Sequence, residues 1–481
     1  MRLLVVLLLV APAWAQDIAV VTPKEFVPAL ADWKTHRTNQ GHAIIVLAPE
    51  TKEIPASVKH LLIVGDQKQV PAAHLPSTII NNWEKDPRIF SDNFRADRDG
   101  DHLPDMAVGR IPADSPDEAK AMLAKVIAYE NNRDFGTWRR RINVVAGVGG
   151  FGERQDAAIE AASTNMLKNS IPASFDVHVT YATPNSPFCP PPARVRAFAT
   201  ERFEEGCLFY TYIGHGFRLG FDRMAWKGSR YRIFGEDDAA ALEVRRGMPI
   251  AFLLCCSTGH FDGAPDCIAE ILVKRPKGPV SVIASSRVSM PYGNAALAKE
   301  LMEAIFVKRT KTVGEALRIA KLRSMDNVRG DDQRNMIETF ATLLYQADPK
   351  KRETERIEHL YLYNLLGDPS MRIQLPEEFP VKARIHQGKL QVKLGAEPFG
   401  KVRIELARQR SGETPMRTDD SDEAFEKAYD AANRWVVASW DSTGGTFELP
   451  EGLRRNRFYD VRVWVESEDR AALGTARVRL P

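Results

Sequence analysis

The chain has 481 residues, 44% of them hydrophobic and 27% charged, and contains no low-complexity tract. That length exceeds one ordinary core, so about two or three globular domains are expected and a disordered or fibrous chain is excluded. With 66 basic against 63 acidic side chains the net charge is +3, too even to argue for nucleic acid or a membrane surface as partner.

The N-terminus runs from Met1-Arg2 through an apolar stretch to Val10 and then Ala13-Trp14-Ala15. This reads as a signal peptide over residues 1–15, cleaved before Gln16. The apolar stretch is too short to span a bilayer, and no later one is longer. Export is therefore expected, whether secreted, periplasmic or at the cell surface. No long segment separates Ala15 from the first predicted strand, so latency through an N-terminal propeptide is not expected. The five cysteines are Cys189, Cys207, Cys255, Cys256 and Cys267. Their odd number and spacing fit neither a disulfide framework nor a zinc site, and at least one free thiol is expected.

Residues 18–21, 42–47, 60–65 and 106–109 read as strands, and 25–38 and 115–130 as helices, the second capped by Ser115 with Pro116 in its first turn. They form an N-terminal α/β subdomain, residues 16–135. A second α/β unit follows over 136–376, with strands at 141–148, 175–181 and 278–284. Helices are expected at 153–168, 195–205, 294–308, 312–324, 334–345 and 356–366. Near-continuous apolar strands alternating with helices predict a parallel sheet covered on both faces. From residue 377 to 481 short alternating segments predict a β-sandwich of immunoglobulin-like size, with 419–432 as an inserted loop or short helix.

Two stretches carry the chemistry, Tyr212-Ile213-Gly214-His215-Gly216 and Leu254-Cys255-Cys256-Ser257-Thr258-Gly259. Each is an apolar strand that stops at a reactive residue, where α/β sheets place their sites. A His and a Cys at neighbouring strand ends make a base–nucleophile pair, and the order His before Cys is that of caspase-like peptidases. Strand alternation puts Cys255 and Cys256 on opposite faces, and the turn residues after Cys256 favour it over Cys255 as the nucleophile. The amides of Gly216 and Cys256 are the natural oxyanion donors. Asp97, Asp99, Asp101 and Asp105 alternate on a glycine-bearing loop, as calcium ligands do and as solvated acidic turns also do. No redox or organic cofactor is expected.

The motifs around His215, from Cys256 to Phe261 and from Asp266 to Leu272, together with Leu62 to Asp66, Asp99 to Arg110 and Leu366 to Ser370, resemble the gingipain family of cysteine peptidases. The resemblance spans roughly residues 17–373. It implies a caspase–hemoglobinase α/β catalytic domain in two subdomains followed by an immunoglobulin-like β-sandwich, a His215/Cys256 dyad, structural calcium, and a secreted endopeptidase acting as a monomer on proteins or peptides. Arginine-specific members carry an Asp soon after a Gly-Gly loop. Asp156 falls there and is either the floor of a pocket for Arg or Lys or an ordinary first-turn helix residue. Three departures stand out: Val148 replaces a Glu that orients the histidine, so the dyad either lacks a third member or takes one from another carboxylate such as Asp222. The segment from Ser285 to Tyr292 lacks a pocket-wall Trp, and Arg287 would oppose a basic substrate side chain. The rivals are a catalytically idle scaffold that binds peptides or surface partners, and a specialised processing or transpeptidating peptidase.

Overall fold

The computed structural model describes residues 16–79, 86–148, 170–326, 330–345, 348–410 and 416–481. The expected signal segment, Gly149 and Gly150, the expected helix at 153–168 and with it Asp156 lie outside the described residues. Ten strands make one sheet, in the order Ile44–Leu47, Ile18–Val21, His60–Val64, Ala107–Ile111, Tyr363–Leu366, Ser281–Ser285, Ile250–Leu254, Phe209–Ile213, Arg141–Ala146 and Asp176–Tyr181. Its two faces bury separate cores, and alternation along one strand feeds both: Tyr210 and Tyr212 join one core and Phe209 the other. The architecture is α/β with a parallel-dominated sheet, followed by a β-sandwich.

Two local expectations fail for identifiable reasons. The helix expected at 25–38 is split into a 3-10 segment Lys24–Leu30 and an α-helix Ala31–Asn39. Pro28 lies inside the first piece and cannot donate the backbone bond a continuous helix needs. The helix expected at 356–366 ends at Leu362, and Tyr363–Leu366 forms a strand antiparallel to Ser281–Ser285 and parallel to Ala107–Ile111. Asn364 anchors the switch: its amide donates to the Leu362 and Tyr361 carbonyls and accepts from Ser91 Oγ and the Asp92 amide. The two halves of the sheet consequently run in opposite directions.

From Glu377 onward a five-stranded and a three-stranded sheet enclose their own core of Leu390, Val392, Ile404, Leu406, Val461 and Val463. The inserted segment is a helix, Asp422–Asn433, capped by Ser421. It lies along Asp176–Tyr181, the outermost strand of the large sheet. Asn433 accepts from the Val179 amide at 2.8 Å and donates to its carbonyl at 2.9 Å, as a neighbouring strand would. Trp435 donates to the Val177 carbonyl and Tyr429 bonds Thr180. An edge that would otherwise invite pairing with another chain is thus covered by side chains. Among the described residues no helix is long and apolar enough to cross a membrane.

Candidate active site

The strands Phe209–Ile213 and Ile250–Leu254 are parallel neighbours, and their last residues, Ile213 and Leu254, are register partners. His215 and Cys256 each lie two residues beyond that pair. With neighbouring strands about 4.8 Å apart, the two turns leave the sheet side by side. Gly216 makes the approach close, since a β-carbon there would sit 2.6 Å from Cys255 Sγ and 2.7 Å from the Cys256 carbonyl oxygen. The turn bearing His215 therefore packs directly on the backbone of the cysteine pair, with the Gly216 and Cys256 main chain at this seam.

The two adjacent cysteines have different environments. Cys255 is fully buried, its Sγ 3.4 Å from Thr258 Oγ1, and burial pushes its thiol far up. Cys256 is half-buried at the turn, with Sγ 3.6 Å from the Ser289 carbonyl. Burial likewise raises Cys189, to about 12, and Cys207 and Cys267 further. Among the described residues none of the five is joined in a disulfide, and Cys256 alone is not fully buried. Ser257 follows in the left-handed region at φ +53°, and its amide donates to the Arg287 carbonyl at 2.9 Å. That bond fixes an unfavourable turn immediately after the candidate nucleophile.

The segment facing Cys256 is held from behind. Asn294 donates to Ser289 Oγ, and Tyr363 donates to Asn294. The Met290 amide donates to His359 Nε2 at 3.2 Å, while His359 Nδ1 meets the Glu355 carbonyl. Burial drives His359 down to about 4, which keeps its Nε2 an acceptor. The Glu355 carboxylate receives the Gly293 amide at 2.7 Å, and burial raises it to about 7.

Arg287 is not the free cation expected beside the pocket. Its guanidinium, 1% exposed, is gripped by both Asp262 oxygens at 2.7 Å, donates to the Ser286 carbonyl, and lies over the Phe90 ring. Its charge is neutralised in a strut that joins the cysteine turn to the N-terminal subdomain. Nothing in the local pattern around Arg287 signals this pairing with Asp262, 25 residues away.

A second group missed by sequence reasoning is the hydroxyl of Tyr212. The residue is fully buried and its ring stacks on Phe221 with centroids 3.7 Å apart. The hydroxyl donates to the His215 carbonyl at 2.8 Å and accepts from the Asp222 amide at 3.4 Å. The available signal was a tyrosine inside an apolar strand, because a buried phenol needs a partner.

On the acidic loop, Asp97, Asp99 and Asp105 bring one oxygen each within 4.8 Å of one another. Asp101 is not in that group, and its Oδ1 accepts from the Leu103 amide. Asp97 also accepts from the Gly100 and His102 amides, and Asp105 from that of Arg98. The converging groups are hard carboxylate oxygens, the donor type calcium requires.

Residues 12–374 match the family model of Peptidase family C25. The chain is 23% identical over 372 residues to Gingipain R2 of Porphyromonas gingivalis, covering 76% of this chain and 43% of that protein. It is 22% identical over 283 residues to Lys-gingipain of the same organism, covering 56% of this chain and 15% of that one. The chain thus spans about half, or less, of the length of these relatives. Among solved structures, the Arg specific cysteine proteinase gingipain R (RGPB) aligns with a TM-score of 0.54 at 18% identity, covering 97% of this chain and 98% of that one. At that identity the likeness speaks for the fold alone.

Proposed function

The chain belongs to peptidase family C25, and we propose that it is an exported cysteine endopeptidase hydrolysing peptide bonds through His215 and Cys256. The observation that carries this reading is the placement of both residues two positions past the register pair Ile213 and Leu254. His215 takes the Cys256 proton, the thiolate attacks the scissile carbonyl, and the resulting imidazolium protonates the leaving amine. The Gly216 and Cys256 amides are the oxyanion donors, and water then releases the acyl-enzyme with His215 as base.

The relatives are named for Arg and Lys, and Asp156 is the candidate carboxylate for such a side chain. Arg287, paired to Asp262, does not oppose a basic group. Asp97, Asp99 and Asp105 are the proposed calcium ligands, in a structural role away from the reaction.

The test is the chain from Gln16 onward, with reductant and calcium, on peptides varied only in the residue before the scissile bond. Cleavage after Arg or Lys, abolished in Cys256→Ala and retained in Cys255→Ala, is expected. Cleavage after other residues would remove Asp156 from the reading. No cleavage together with no preferential alkylation of Cys256 would refute the enzyme and leave the idle scaffold.

A further inference from the structure

The strands Gly216–Phe217 and Gly220–Phe221 form a small antiparallel hairpin in which Gly216 pairs with Phe221. His215 immediately precedes this ladder and Asp222 immediately follows it, so the two residues flank its open end. Tyr212 reaches across that end: its hydroxyl bonds the main chain of both, the carbonyl of His215 and the amide of Asp222.

The surroundings are shaped for that oxygen. A β-carbon at Gly147 would lie 2.5 Å from the Tyr212 hydroxyl, and one at Gly214 would lie 2.9 Å from it. Two glycines, each the first residue past a strand end (Ala146 and Ile213), therefore keep open a slot that a phenol oxygen fills. The ring is clamped flat on Phe221, with 5° between their planes, so the hydroxyl has one place to be. Burial holds the phenol well above its ordinary titration range, and it stays a donor at any working pH. The bond acts on the backbone of His215, which sets the direction from which the imidazole side chain leaves the turn.

We infer that Tyr212 is a positioning residue for the proposed reaction: its hydroxyl staples the main chain of His215 so that the imidazole stands at Cys256. This rests on the reading of His215 and Cys256 as the reacting pair. A misplacement of about 1 Å in such a pair lowers rate by about 100-fold. The phenol itself touches neither substrate nor thiol.

The experiment is Tyr212→Phe in the full chain, which keeps the ring and removes only the oxygen. The first readout is the pH dependence of Cys256 alkylation by iodoacetamide, followed by peptide mass spectrometry, which needs no substrate. In the parent chain the midpoint should lie well below the free-thiol value of about 8.5, because an imidazolium supports the thiolate. In Tyr212→Phe it should rise by about one pH unit or more, toward that value. On a cleavable peptide kcat should fall about 10- to 100-fold with KM changed less than about twofold. Tyr210→Phe is the control, another fully buried tyrosine of the same strand whose hydroxyl lies 3.5 Å from the Ala199 carbonyl. It reports what loss of a buried hydroxyl does to the fold alone. An unmoved midpoint in Tyr212→Phe overturns the proposal, as does an equal shift in Tyr210→Phe. An equal shift in Asp222→Asn would also overturn it by moving the role to that carboxylate, since the Tyr212 bond uses only the Asp222 amide. A parent Cys256 that already titrates as a free thiol would refute the reacting pair itself, a result distinct from all of these.

Discussion

Replacing Arg140 by Met should loosen the join between the α/β part and the β-sandwich more than any surface change. Arg140 donates to both oxygens of Glu405 at 2.7 and 3.2 Å, and its Nε lies 2.9 Å from Asp176. Arg462 closes the square by pairing with Asp176 and approaching Glu405 at 3.4 Å. Two cations thus balance two carboxylates, and the Arg140, Glu405 and Arg462 side chains are each no more than 6% exposed. Burial alone would raise the Asp176 carboxyl, yet Arg462 and Arg140 hold it below its ordinary value. Removing Arg140 leaves two carboxylates on one guanidinium, and breaking a buried pair this way costs about 3–5 kcal/mol. Pairing it with Glu405→Leu leaves Arg462 and Asp176 balanced and should recover most of that loss, a coupling of about 2 kcal/mol or more. Urea unfolding of the four proteins of the cycle measures it. A loss below about 1 kcal/mol in Arg140→Met, or strict additivity in the double variant, would refute the account of a balanced buried square.

Other outcomes follow from the same geometry. Burial lowers His178 to about 3 and His359 to about 4, so the unfolded chain protonates first. Their stabilisation is present above about 6.5 and is lost as pH falls through the folded values, and acid unfolding curves of His359→Gln should be flatter over that range. Glu355 acts in the opposite sense. Its folded value near 7 exceeds the unfolded one, so stability declines as pH rises from about 4.5 toward 7, and Glu355→Gln should remove that slope. Arg287→Met strands Asp262 at 8% side-chain exposure and should cost about 3 kcal/mol or more in urea unfolding. If the acidic loop binds calcium, free calcium at 100 times its Kd should stabilise the chain by about 2.7 kcal/mol, an increment that Asp99→Asn should abolish.

The sequence by itself determined the strands of the large sheet other than Tyr363–Leu366, and it put His215 and Cys256 at strand ends. Apolar runs, β-branched residues and glycines act within a few residues, and that information survives without a fold. Cys256 was separable from Cys255 on the same ground, because period-two alternation and the Ser-Thr-Gly that follows are local. The tertiary structure decided the rest. Tyr363–Leu366 continues a helical pattern and becomes a strand because Asn364 and the partner strands outbid local propensity. The charge of Arg287 was legible, whereas its pairing with Asp262 was not, because ion pairs depend on which chain segments meet. The same holds for Asn433 on the edge strand, for the convergence of Asp97, Asp99 and Asp105 without Asp101, and for the reach of Tyr212 to His215. Sequence patterns report what a residue is and how its neighbours bias the backbone. Register, close approach and the partner of a buried polar atom are set by long-range packing, where Gly216 lies against the cysteine pair because two parallel strands end level.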